Sequence, residues 1–163
     1  MITSLSTGRC KSFITIISSA PGPSSSLINP IGFSPSMKKF AVIGSPVEHS
    51  LSPLLHNWIF KTLKIQAEYG KIRVEEEDLP AIIYKINNGN LDGINVTVPH
   101  KENIMHFLDE INSRAECIGS VNCVMKSNSK VIGNNTDWFG FSQALQKSEI
   151  DINEKEVIVF GAG

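Results

Sequence analysis

The sequence predicts an α/β fold in three layers: a mainly parallel, mixed sheet with helices on both faces. Three observations predict it. Strand-like and helix-like segments alternate as β-α-β-α-β-α between residues 40 and 118. The first strand, "FAVIG", is apolar throughout, as a strand covered on both faces must be. A hairpin pattern then follows around residues 121–132, adding antiparallel strands to an otherwise parallel sheet.

Each element has its own signal. "FAVIG" (40–44) ends in glycine, and "SPLLHNWIFKTLK" (52–64) carries apolar residues at helical spacing, with Ser52 expected as the N-cap and Pro53 in the first turn. "AEYGKIRV" (67–74) is a second strand. "EEEDLPAIIYKINNGN" (75–90) places acids in a first turn, where they complement the helix dipole, and stops at Asn88-Gly89. "GINVTVP" (93–99) is the third strand, closed by Pro99, which cannot donate to a ladder. Residues 101–108 and 112–118 are expected as two short helices, and 121–125 with 131–132 as the arms of a hairpin around "KSNSK". "DWFGFSQALQKS" (137–148) is a helix capped by Asp137. The polar "EIDINEKE" after it has the composition of a domain boundary, and "EVIVFGAG" (156–163) reads as a buried strand opening a second domain.

Composition bounds the function. The chain has 163 residues, 41% of them hydrophobic, and a formal net charge of -1, so no basic excess points to nucleic acid. No apolar run is long enough to cross a membrane. A small molecule is the expected partner. Cys10, Cys117 and Cys123 have no paired spacing and are expected as free, buried thiols in a reducing compartment. Residues 1–36 hold ten serines, four of the eight prolines and no acid, which sets them apart as a leader outside the folded domain. Two readings of that leader stand: a chain whose start is Met37, which suits the cytoplasm, or a cleaved segment, either a transit peptide into a plastid or other organelle or, from "SFITIISSA" after Arg9 and Lys11, a secretory signal. From Met37 on, 13 basic against 16 acidic residues leave a net charge of -3. The expected domains are 37–138 for the α/β unit, 139–155 for a connecting helix and linker, and 156–163 for the start of the second domain.

The candidate site gathers at strand ends. Asn95 and Thr97 lie two apart on "GINVTVPHK" and so share one face, an amide beside a hydroxyl, with His100 and Lys101 following at the loop. Lys101, expected just inside a helix, sits badly in the positive end of a helix dipole, and such a position invites a functional reason. Asp137 is the carboxylate offered to it. Ser50 and Ser52, in "SPVEHSLSP" after the first strand, offer hydroxyls near free helix N–H groups and suit a carboxylate or phosphate; on the residues alone, a turn residue and an N-cap serve as well. Asn122, in "GSVNC", is an amide in a strand-like run and needs partners there. Amides and hydroxyls together suit a polyol. Gly161, Ala162 and Gly163 follow an apolar strand and let a backbone approach a pyrophosphate, although an ordinary turn has the same pattern. Histidines 49, 56, 100 and 106 have no metal-ligand spacing, and no metal is expected.

In order, "FAVIGSPVEHSLSPLLHN", "GINVTVPHK", "IGSVNCV", "GNNTDWFG" and "VIVFGAG" closely resemble the shikimate dehydrogenases, over residues 37–163. The resemblance implies an N-terminal substrate-binding domain followed by the first strand of a Rossmann domain, and a reversible, NADPH-dependent reduction of 3-dehydroshikimate to shikimate in aromatic amino-acid biosynthesis. It implies that Ser50 and Ser52 hold the substrate carboxylate and that Asn95, Thr97, Asn122 and Asp137 hold its hydroxyls. Lys101 and Asp137 become the catalytic pair, with Lys101 the general acid, and Gly161, Ala162 and Gly163 the opening of the NADP site. Ser120 and Cys123 depart from the alanine and threonine common in the family. Most of the cofactor domain lies beyond residue 163, so the chain alone is expected to be inactive. A non-catalytic shikimate- or quinate-binding domain, a relative that uses NAD, and a homodimer all stay open.

Overall fold

In the computed structural model the described residues are 37–148, 152–158 and 160; the expected leader and Gly161, Ala162 and Gly163 fall outside them. The strands are β1 (Lys38–Gly44), β2 (Ala67–Arg73), β3 (Gly93–Val96), β4 (Glu110–Ile111), β5 (Cys123–Ser127) and β6 (Lys130–Asn134), in the order β2-β1-β3-β5-β6-β4. β1 pairs in parallel with β2 and β3, and β4 in parallel with β6. β5 runs antiparallel to both β3 and β6. The mixed, mainly parallel sheet is as expected.

The helices are α1 (Ser52–Thr62), α2 (Leu79–Asn87), α3 (Ser113–Ile118) and α4 (Asp137–Lys147), with short 3₁₀ turns at Glu76–Asp78 and Asn103–Phe107. α2 buries Leu79, Ile82, Ile83 and Ile86 on one sheet face, against Ile43 of β1, Ile94 and Val96 of β3, Val124 and Val131. Each such side chain removed from water contributes about 1.5–3 kcal/mol, so this layer dominates the stability. On the opposite face α1 contributes Phe60 to a smaller cluster with Val42, Val47 and Tyr69. Alternate residues of β1 therefore enter different cores, which is why its sequence has no polar position within "FAVIG". Leu54, Leu55 and Trp58 of α1 are exposed, and α4 buries no side chain.

Several expected elements differ. Residues 101–108 do not make an α-helix: Lys101 lies in a turn before the five-residue 3₁₀ helix, where the Met105 and Leu108 N–H groups donate three residues back, to the Glu102 and Met105 carbonyls. β4 has two residues and leaves no periodic trace in sequence. The hairpin turn places Asn128 at φ 48° and Ser129 at φ 66°, the two left-handed residues of a tight two-residue connection, with Ser127 opposite Lys130. The buried strand expected to open at residue 156 is not formed among its described residues: 156–158 carry no strand, and Val157, Ile158 and Phe160 are exposed, as apolar residues with no ladder partner are. Cys123 is buried as expected, whereas Cys117 is exposed on α3.

Gly44 shows why β1 ends where it does. A Cβ built there would lie 2.5 Å from the Thr97 methyl and 2.9 Å from the Val98 carbonyl oxygen, so the glycine admits the chain that leaves β3. Because one neighbour is backbone, Gly44→Ala is expected to cost about 1–3 kcal/mol and to displace Thr97. Urea unfolding followed by circular dichroism checks this, as a lowered midpoint with an unchanged slope.

Candidate functional site

The carboxyl end of β3 carries the site. Ile94 and Val96 point into the larger core, so Asn95 and Thr97 face the other way, onto the side of the sheet that holds Tyr69 and α1. The chain past β3 is tied down on both sides: the Thr97 N–H donates to the Ile43 carbonyl at 2.9 Å, and the Ser45 N–H to the Val98 carbonyl at 3.1 Å. His100, 1% exposed, donates from Nε2 to the Val74 carbonyl at 2.6 Å and so anchors the turn that presents Lys101. The Lys101 carbonyl accepts from the Val121 N–H at 2.8 Å, which brings the turn against the segment that leads into Asn122.

Lys101, Asn122 and Asp137 meet at one carboxylate. Lys101 Nζ lies 2.6 Å from Asp137 Oδ2, and Asn122 Nδ2 donates to Asp137 Oδ1 at 2.7 Å. The side chains of Lys101 and Asp137 are 32% and 57% exposed, so a ligand in solution can reach the pair. An ion pair that open adds at most about 1 kcal/mol to stability, which makes it a poor structural device. What it does supply is an ammonium with donors to spare beside an anchored carboxylate.

Asp137 is available because a neighbour does its expected work. It is the first residue of α4, and its own N–H donates at 2.9 Å to Oδ1 of Asn135, which also faces the Trp138 N–H. Asn135 is buried, its Nδ2 held by the Ser120 carbonyl at 2.9 Å. The same substitution of roles occurs at α1. Ser52 is its first residue rather than its cap, and Ser50 Oγ accepts from the Ser52 N–H at 3.3 Å. Ser50, Ser52 and Thr97 then line one cleft of about 310 Å³ with Val42, Pro46, Val47 and His49. That volume lies at the lower end of small-ligand pockets.

Asn95 connects to both a buried tyrosine and Asn122. Its Oδ1 accepts from the Tyr69 hydroxyl at 2.6 Å, and its Nδ2 faces the Asn122 carbonyl at 3.3 Å and Cys123 Sγ at 3.7 Å. Tyr69 is fixed in turn by Asn57, whose amide brackets the Tyr69 backbone with bonds of 2.8 and 2.9 Å, and by His56, stacked on its ring at 4.2 Å. Burial holds the His56 imidazole below its ordinary value, so the stack is between neutral rings at pH 7. Burial first, and the Cys123 sulfur second, push the Tyr69 phenol well above its usual range. The Cys123 thiol is pushed up to about 12, by burial and then by the Asp137 charge, and is inert.

The structure thus brings together Lys101, Asn122 and Asp137, and separately Ser50, Ser52 and Thr97, with Asn95 linked to the first group through Asn122. Gly161, Ala162 and Gly163 lie outside the described residues. Among the described residues no three His, Cys, Asp or Glu side chains gather as a metal would need, and no helix is long and apolar enough to cross a membrane. Tyr69, Asn57, Asn135 and Thr136 were not singled out in the sequence. Asn135 had a signal, an Asx residue just ahead of a helix; Tyr69 had none, since nothing in a strand sequence says which residue of another strand it reaches.

Residues 42–124 match the family model described as the shikimate dehydrogenase substrate binding domain. The chain belongs to this family. Shikimate dehydrogenase (NADP(+)) of Pelagibacter ubique is 43% identical over 126 residues, covering 77% of this chain and 48% of the relative. The crystal structure of a shikimate dehydrogenase in complex with NADP+ matches with a TM-score of 0.74 and 39% identity, covering 87% of this chain and 48% of that one. The shikimate 5-dehydrogenase of Thermus thermophilus in complex with shikimate matches with a TM-score of 0.66 and 36% identity, covering 71% of this chain and 44% of that one. The chain spans about half the length of the curated shikimate dehydrogenases it matches.

Removing the Asn135 amide is expected to release two N–H groups of α4 together with the Ser120 carbonyl. Asn135→Ala should therefore cost about 1–2 kcal/mol, as loss of a helix cap does, and should broaden or shift the Asp137 and Trp138 amide signals in a ¹⁵N spectrum.

Proposed function

We propose that this chain is the substrate-binding and proton-transfer half of an NADP-dependent shikimate dehydrogenase, acting on the couple 3-dehydroshikimate and shikimate. The observation that carries the reading is the solvent-reachable Lys101–Asp137 pair, 2.6 Å apart and locked by Asn122. Ser50 and Ser52, at the mouth of the cleft beside the start of α1, are the grip for the substrate carboxylate, where a helix N-terminus favours an anion. Asn95, Thr97, Asn122 and Asp137 take the ring hydroxyls.

As the carbonyl oxygen gains negative charge in the reduction, the Lys101 ammonium gives it a proton; in the reverse direction the amine takes the hydroxyl proton. Asp137 holds the ammonium in place, and the Asn122 amide holds Asp137. Reduction also needs a hydride donor, NADPH in this reading. The described residues offer it no cradle, since 155–158 form no strand to aim a glycine turn at a pyrophosphate.

Titration of the whole ¹⁵N-labelled chain with shikimate tests the reading. Saturable shifts are expected at Ser50, Asn95, Thr97 and Asn122, and shikimate methyl ester, which lacks the charge, should bind more weakly. Lys101→Ala should weaken shikimate binding about tenfold or more, the worth of a hydrogen bond to a charged group. A folded chain that shows no saturable shift would overturn the assignment.

A further inference from the structure

The Asn122 carbonyl determines which way the Asn95 amide points, and the Tyr69 hydroxyl then binds the oxygen end. An asparagine side chain can be turned over with little change in shape, and its partners decide which end is oxygen. On one side of Asn95 stands the Asn122 carbonyl, 3.3 Å away, which can only accept. Nδ2 must therefore face it, which leaves Oδ1 toward the Tyr69 hydroxyl at 2.6 Å, with Tyr69 as the donor. A flipped amide would set two carbonyl oxygens against each other. The raised Tyr69 phenol keeps its proton at any physiological pH, so the donor is permanent.

The remaining capacity of Asn95 is then lopsided. One lone pair of its oxygen takes a short bond from Tyr69, while the second Nδ2–H has Cys123 Sγ, a weak acceptor 3.7 Å away. A ligand oxygen can displace that sulfur contact with little loss. Tyr69 itself is held from two directions, by the Asn57 bracket on its backbone and the His56 stack on its ring. A side chain anchored this firmly suits an orienting task.

We propose that Tyr69 is a positioning residue for ligand recognition: by binding the Asn95 carbonyl oxygen on the side away from the Asn122 carbonyl, its hydroxyl holds the amide in place and presents the remaining Nδ2–H to the ligand. This rests on the reading of the site as one for a hydroxylated acid. It adds that the group met by this N–H presents a lone pair to it.

Tyr69→Phe in the whole chain keeps the ring and its stack and removes only the donor. Two measurements follow it: water exchange of the Asn95 side-chain NH₂ protons without ligand, and shikimate affinity by titration. The expected result is exchange faster by about tenfold and affinity weaker by about tenfold, the size of one lost hydrogen bond. Asn95→Ala should weaken binding similarly, and the double variant no further, because Tyr69 acts through Asn95. Unchanged Asn95 exchange in folded Tyr69→Phe overturns the positioning role, and additive losses in the double variant overturn its route through Asn95. If the parent chain binds no shikimate, the functional reading fails and with it the ligand half of this proposal, while the exchange measurement still decides whether Tyr69 orients Asn95.

Discussion

The amide of Asn122 is the joint on which the site depends. Only 8% exposed, it uses both ends of its side chain and both of its backbone groups. Its Oδ1 accepts from the Thr136 N–H at 2.9 Å, and its Nδ2 donates to Asp137 Oδ1 at 2.7 Å and Thr136 Oγ1 at 3.1 Å. Its carbonyl accepts from the Val96 N–H at 2.9 Å and faces Asn95 Nδ2, and its N–H donates to the Asn134 carbonyl at 3.0 Å. One residue therefore ties the end of β3, the exit of β6 and the start of α4. A buried amide left without these partners would cost about 1–3 kcal/mol for each polar group stranded, so the three elements hold one geometry or lose a good part of a domain's marginal stability.

Around that joint, the capping of two helices falls to residues just ahead of their first turns. Asn135 and Ser50 serve the free N–H groups at the starts of α4 and α1, and Asp137 and Ser52, each the first residue of its helix, keep their side chains available. The division follows from backbone geometry: a residue just ahead of a helix has its side chain turned back toward the first N–H groups, whereas the first helical residue points outward. Placing a carboxylate or hydroxyl one step inside the helix thus gives it the favourable field of the N-terminus without committing it to capping. His100 and Tyr69 do comparable service from the core side, one anchoring the Lys101 turn to Val74 and the other fixing the Asn95 amide.

The two sheet faces are unequal for a related reason. α2 and α3 cover one face with aliphatic side chains, and that core carries the fold. The opposite face has the smaller α1 cluster of Val42, Val47, Phe60 and Tyr69, which leaves the carboxyl end of the strands open as a cleft. Parallel strands with their ends together, and a thin cover on one side, place polar side chains from β3 and the loops within reach of one ligand.

Sequence by itself determined the α/β class, the first three strands, α2 with its glycine exit, and the hairpin, because those depend on periodicity and turn chemistry, whereas the acids expected in the first turn of α2 form a separate 3₁₀ turn ahead of it. Asn95 and Thr97 were legible together since period two requires it. Tertiary structure alone decided that Asn135 and Ser50 take the capping roles, that residues 101–108 turn as 3₁₀ rather than α, that a two-residue strand pairs with β6, and that 157–158 stay out of the sheet. It also decided the meeting of Lys101, Asn122 and Asp137 and the grip of Tyr69 on Asn95. Each of these is a hydrogen bond between groups distant in the chain, or a competition between neighbours for the same N–H, and local pattern carries no information about which partner arrives.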